Sequence, residues 1–192
     1  METTALTPLD LTGAVTGPME NLRAGGMFGG MASPGAIAGA SGTSSPAGYG
    51  TILDFDLDGK ARPNRPGQGV LDMLGYAAED VFGQGARVVV FSGQENEGDQ
   101  HGSNRHRTGL AADVRVYAPD GTLVRLDDPR AGDFMEAAAR RGALGIGAGQ
   151  EYMGDAFHID MVPHENYGPG QGPAWGSLGN EMETALTAQM RG

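Results

Sequence analysis

"LAADVRVYAPDGTLVRL", residues 110–126, is the stretch on which the fold class turns. Apolar and β-branched residues flank Pro119-Asp120-Gly121, and Pro-Asp-Gly is a turn signal between two strands. The segment therefore predicts a hairpin, and a hairpin predicts antiparallel pairing. Upstream, "ARVVVFSG" (86–93) is an apolar β-branched run stopped by Ser-Gly, a buried strand by length and composition. Before it, "QGVLDMLGYAAEDVFG" (68–83) places Val70, Leu71, Leu74, Ala77, Ala78, Val81 and Phe82 on one helical stripe closed by Gly83. Downstream, a short helix is expected over Asp133 to Arg141, with Phe134, Ala137 and Ala138 inward. Two short strands follow in "ALGIGAG" (143–149) and "AFHIDMV" (156–162), then a surface helix in "GNEMETALTAQM" (179–190). Helices and hairpins in this order predict an α+β fold, a small largely antiparallel sheet packed with helices, rather than alternating βαβ units.

The first part of the chain differs in kind. "AGGMFGGMASPGAIAGASGTSSPAGYG" (24–50) is rich in Gly, Ala, Ser and Pro and has no sustained period. Such a segment buries too little apolar surface to offset the entropy of ordering it. The expected organisation is a low-complexity arm or linker over 1–48, a folded domain over 49–164, and a Gly/Pro-rich connection with a C-terminal helix over 165–192. Met27, Phe28, Met31 and Ile37 give the arm apolar groups that a partner surface would order.

Composition excludes some partners. Among 192 residues the formal net charge is −11, which repels a phosphate backbone and an anionic membrane surface alike. No apolar run approaches the roughly 20 residues needed to span a bilayer, and "METTALTPLDLTG" has no signal-peptide pattern. There is no cysteine, so His, Asp and Glu are the available metal ligands. "DFDLDGK" (54–60) matches the opening of an EF-hand loop, but position 65 is Arg where that loop needs Glu. An extended strand with a solvated acidic edge is the expected reading.

Two short stretches carry the chemistry. In "SNRHRTGLAADV" (103–114), His106 and Asp113 lie seven residues apart. Gly109 permits a tight backbone path between them, and Ala111 and Ala112 leave room beside it. In "FHIDMV" (157–162), alternation puts His158 and Asp160 on one face of a strand, opposite Ile159. Two neighbouring strands would then present His, Asp and His to one ion, with a fourth position open, as in catalytic zinc sites.

Those two stretches resemble the M15 family of zinc peptidases, which includes D-Ala-D-Ala carboxypeptidases, dipeptidases and phage endolysins. The family's His-x-x-Gly-x-Ala-x-Asp motif is matched by His106, Gly109, Ala111 and Asp113. The resemblance covers about residues 70–162 and implies zinc held by His106, Asp113 and His158. It implies Asp155, three residues before His158, as the general base, where the family usually has Glu; Glu151 is a substitute candidate. Family members often carry Arg after the Ser-Gly that ends the earlier strand. Here Gln94 and Glu95 stand there, and Arg105 is the expected replacement. His101 is a candidate for lining a substrate groove, and Trp175, the one tryptophan, for stacking on substrate or anchoring a loop. His164 is expected at the surface or behind a ligand.

The activity so implied is hydrolysis of an amide bond in peptidoglycan stem peptides or cross-bridges. The setting would be a phage tail component or an endolysin, in the virion or in the host cytoplasm before release, with the arm tethering other tail proteins. Two other readings are a structural tail protein with a degenerate, non-catalytic peptidase-like domain, and a bacterial carboxypeptidase.

Overall fold

The computed structural model describes residues 48–99, 104–149, 153–167 and 172–191. The expectations for the arm, for His101 and for Glu151 lie outside the described residues. Among the described residues the fold is α+β, with one mixed six-stranded sheet and three α-helices. The strands are β1 (Ile52–Phe55), β2 (Arg87–Ser92), β3 (Ala111–Tyr117), β4 (Gly145–Ala148), β5 (Phe157–Asp160) and β6 (Ala174–Gly176). The helices are α1 (Gln68–Phe82), α2 (Pro129–Arg140) and α3 (Asn180–Arg191). None of the described helices is long and apolar enough to cross a membrane.

The sheet order is β1-β2-β3-β5-β4-β6. The four central strands pair antiparallel, while β1 joins β2 and β6 joins β4 in parallel. The expectation of a largely antiparallel sheet is thus corrected to a mixed one. The parallel edges arise from crossovers, because β1–α1–β2 is itself a βαβ unit, an arrangement the order of elements had argued against. The hairpin expected over 110–126 is also cut short. Gly121 N–H bonds Ala118 O and the chain returns as far as a single bridge, Tyr117 to Leu123. Further back, the same edge of β3 is taken by β5, which pairs with Ala111–Val114, and the chain leaves for α2.

Period-two alternation divides the sheet. Leu53, Val88, Val90, Ala112, Val114, Val116, Ile146, Ala148, Phe157, Ile159 and Ala174 enter one buried cluster with the inward residues of the helices. In α1 these are Val70, Leu71, Leu74, Ala77 and Ala78 of the expected stripe, joined by Met73, while Val81 and Phe82 are partly buried against the cluster. Tyr49 lies across the same helix at Gly75, where a Cβ would come within 2.3 Å of its ring. Burial pushes the Tyr49 hydroxyl up to about 12. Helix α2 starts four residues before the apolar pattern suggests, because Asp128 caps it by accepting from Arg130 N–H and Pro129 fills its first turn. Its Phe134 ring meets Phe157 at 5.3 Å, fixing the helix over β5. Leu186 and Met190 seat α3 on the same cluster.

Candidate metal centre

The opposite side chains of the same strands form the site. Register aligns Ser92 with Asp113, Asp113 with His158, His158 with Gly147, and Gly147 with Trp175, a row running across five strands. One step along, Ala111 pairs with Asp160 and Asp160 with Gly145. The row is thus Ser-Asp-His-Gly-Trp, with a carboxylate beside the histidine.

His106 comes from the loop before β3. A 3-10 turn over Asn104–His106 and a left-handed Gly109 (φ 72°) bring the chain round into β3. A Cβ at Gly109 would also approach Gln94 Oε1 to 2.9 Å. The imidazole turns inward and is 1% exposed. Its Nδ1–H donates to Gly93 O at 2.7 Å, which leaves the Nε2 lone pair facing the row.

His158 is fixed from its other nitrogen. Nε2–H donates to Asp160 Oδ2 at 3.0 Å, and Arg105 Nη1 bonds that same oxygen at 2.8 Å. Asp160 Oδ1 accepts from Val162 N–H, so both carboxylate oxygens are held. The remaining nitrogen, His158 Nδ1, lies 2.8 Å from Asp113 Oδ1 and 3.2 Å from His106 Nε2. His106 Nε2 is 3.4 Å from Asp113 Oδ1. Ligand atoms set tetrahedrally at zinc distances are about 3.3 Å apart. Two of the separations fall at that spacing and the Asp113–His158 one, at 2.8 Å, is closer; each histidine also has its other nitrogen anchored to an acceptor, the usual arrangement behind metal-ligating histidines. The residues could hold a metal ion. His106, Asp113 and His158 form the one His/Asp/Glu group of metal-binding geometry among the described residues.

The electrostatics follow from burial and pairing. Burial holds His106 below its ordinary pKa, partly opposed by Asp113. Burial also works against charge on His158, but hydrogen bonds to Asp113 and Asp160 outweigh it and hold that imidazole above its ordinary value. For Asp113, burial raises the carboxyl, yet the neighbouring His106 and His158 carry it far below the usual range. Asp160 is likewise lowered against burial by His158 and Arg105. Both carboxylates are therefore anionic near neutrality.

Two glycines make this packing possible. At Gly147 a Cβ would come within 2.3 Å of the Trp175 ring, and at Gly145 within 2.2 Å of Asp160 Oδ2. Trp175 leans across Gly147 to within 5.0 Å of the His158 ring centre. The Arg105 guanidinium lies between two aromatic faces, 4.0 Å from Trp175 and 3.8 Å from Tyr167. Its Nη2 also donates to Gly172 O. At 3% exposure Arg105 braces the Asp160–His158 pair from behind, where the sequence suggested a substrate contact. Trp175 packs on the candidate ligand His158. His164 is half-buried with Nε2 near Leu144 O, one strand-end away.

Asp155 sits where the chain enters β5. Its Oδ1 accepts from Leu126 N–H at 3.2 Å and its Oδ2 pairs with Arg125 at 3.4 Å. None of these contacts is with the three clustered residues. Sequence reasoning missed two participants. Asp160 shares a strand face with His158 in the sequence pattern, which assigns it no role of its own. Arg62, 51 residues before Asp113, reaches Asp113 Oδ2 at 3.4 Å from the loop between β1 and α1. The arginine-rich "KARPNRPGQG" (60–69) was the only hint of it.

No family model matches the chain, and no curated protein and no solved structure matches it either.

Proposed function

We propose that this chain is a zinc-dependent peptidase acting on an amide bond of peptidoglycan stem peptides or cross-bridges, in a phage tail component or endolysin. The observation that carries the reading is the convergence of His106 Nε2, Asp113 Oδ1 and His158 Nδ1 at 2.8–3.4 Å, with both imidazoles anchored from behind. The His-x-x-Gly-x-Ala-x-Asp resemblance supplies the substrate class. Zinc held by His106, Asp113 and His158 would supply Lewis acidity, acidifying a water to a pKa of about 7 and polarising a carbonyl.

The protein's own residues do the rest. Arg105 and Asp160 keep His158 in one tautomer and one orientation. Asp155, 27% exposed at its side chain, is the proton carrier in this reading. It takes a proton from the attacking water and returns it to the leaving amine. To do so its carboxylate turns away from Arg125.

A second reading is favoured by two observations. All three candidate ligands are buried, and Asp155 is engaged by Leu126 and Arg125. These suit a structural metal centre in a non-catalytic tail protein. One assay separates the readings. The zinc-loaded chain is incubated with peptidoglycan and the released amino groups are counted. The peptidase reading expects metal-dependent release. It expects His106→Ala to lose zinc, and Asp155→Ala to keep zinc and lose turnover. Zinc uptake with no release from any wall chemistry would leave the structural reading in its place.

A further inference from the structure

We propose that Arg62 is a positioning residue that restricts Asp113 to one-oxygen ligation, with Glu95 setting Arg62 for that task. The proposal rests on the metal-centre reading above. Asp113 presents its two oxygens to different neighbours. Oδ1 faces the histidines at 2.8 and 3.4 Å, and Oδ2 faces Arg62 Nη1 at 3.4 Å. The same Nη1 reaches Ser92 Oγ at 3.3 Å, and Ser92 is the register partner of Asp113.

Arg62 is delivered by backbone. Its carbonyl accepts from Gly93 N–H at 3.0 Å, and Asn64 and Gln94 exchange both backbone bonds beyond it. That close approach requires glycine at 93, where a Cβ would lie 2.0 Å from Asn64 O. Gly93 is also the residue whose carbonyl anchors His106. On the far side of the guanidinium, Nε donates to Glu95 Oε1 at 3.3 Å, and the Glu95 carboxylate is 1% exposed. Glu95 is itself tied to the ligand loop through its N–H to His106 O. One guanidinium is therefore held between a buried carboxylate and the outer oxygen of a candidate ligand.

The chemical consequence concerns coordination number. A carboxylate binds zinc through one oxygen or two. With two histidines, two-oxygen binding fills four positions and leaves no open one in a tetrahedral shell. A guanidinium donating to Oδ2 engages the lone pair that a second metal bond would need. Ligation then stays at three protein atoms with one position open.

The test is zinc K-edge X-ray absorption on the full chain, reading the distance from zinc to the Asp113 carboxylate carbon, which shortens when both oxygens bind. Arg62→Met is expected to shorten that distance, and Arg62→Lys to keep the wild-type value. An unchanged distance in Arg62→Met overturns the proposal. Should Arg62→Met not fold, Glu95→Gln decides by the same readout. A shortened distance there supports the proposal and a wild-type distance overturns it. A wild-type chain that takes up no zinc overturns the metal-centre reading as well, whereas an insensitive shell around bound zinc overturns only the role of Arg62.

Discussion

The two faces of one sheet are built from the same strands and obey opposite rules. On the helix-covered face, Val88, Val90, Val114, Phe157 and Ile159 fill space, and any apolar side chain of similar volume serves. On the other face, Asp113, His158 and Asp160 carry charge in a buried setting, and their neighbours are small so that they fit. The helix face tolerates variation in identity but not in volume. The site face tolerates neither, because a buried polar group without its partner costs more than a lost contact. Adjacent residues of β5 show the contrast: Phe157 holds the fold and His158 holds the site.

That contrast can be broken directly. Phe157→Ala is expected to cost about 3–5 kcal/mol of unfolding free energy, read by urea denaturation, because it leaves a cavity against Phe134. His158→Ala should instead weaken zinc binding by more than about 100-fold, beyond the 10–100-fold typical of outer-shell partners, read by chelator competition. Equal losses of zinc affinity in the two variants at full folding would refute the division of labour.

Smaller in effect is Gly147→Ala. The added methyl must displace the Trp175 ring, at an overpacking cost of about 1–3 kcal/mol. Trp175 is the chain's one tryptophan, so its emission reports the displacement without a label. An unshifted spectrum would mean that the ring does not rest on Gly147.

The response to pH sharpens the comparison further. Asp113 is lowered, so its contribution to the metal-free fold is present above about 3.8 and is lost as pH falls through its depressed value. His158 is raised, so its contribution is full below about 6.5 and is lost as pH rises through its elevated value. The metal-free chain should be most stabilised by this pair between roughly pH 4 and 6.5. Zinc uptake has the opposite sense at His158, since Nδ1 must give up its proton, so affinity should rise with pH. Ion uptake should release protons, and the release should fall as pH rises through the elevated His158 value, measured by calorimetry in buffers of different ionisation enthalpy. Smallest of all is Arg141→Ala. It breaks an exposed pair with Asp80 and should leave the urea midpoint nearly unmoved.

The parts legible in sequence were those with local causes. The α1 stripe, the strand at 86–93 and the facing of His158 with Asp160 follow from periodicity. His106 and Asp113 follow from a motif within eight residues. What escaped depends on pairing between distant segments. Gly145 and Gly147 fall in an expected strand, but their need for small size shows only once Asp160 and Trp175 lie against them. Arg105 sits in a polar loop, and only the fold turns it inward onto Asp160. The parallel edges were hidden for the same reason, since strand direction is set by a crossover and not by the strand's own residues. Arg62 carries no local sign of its target.

The pairing of β3 with β5 has one more consequence. His106 and His158 lie 52 residues apart and meet only across that pairing. An ion gripping both acts as a removable cross-link closing a loop of that length. By loop-closure entropy, such a link disfavours the unfolded chain by roughly 4 kcal/mol, comparable to a disulfide. In a chain with no cysteine, such an ion would tie the middle of the sheet by a link that a chelator could undo.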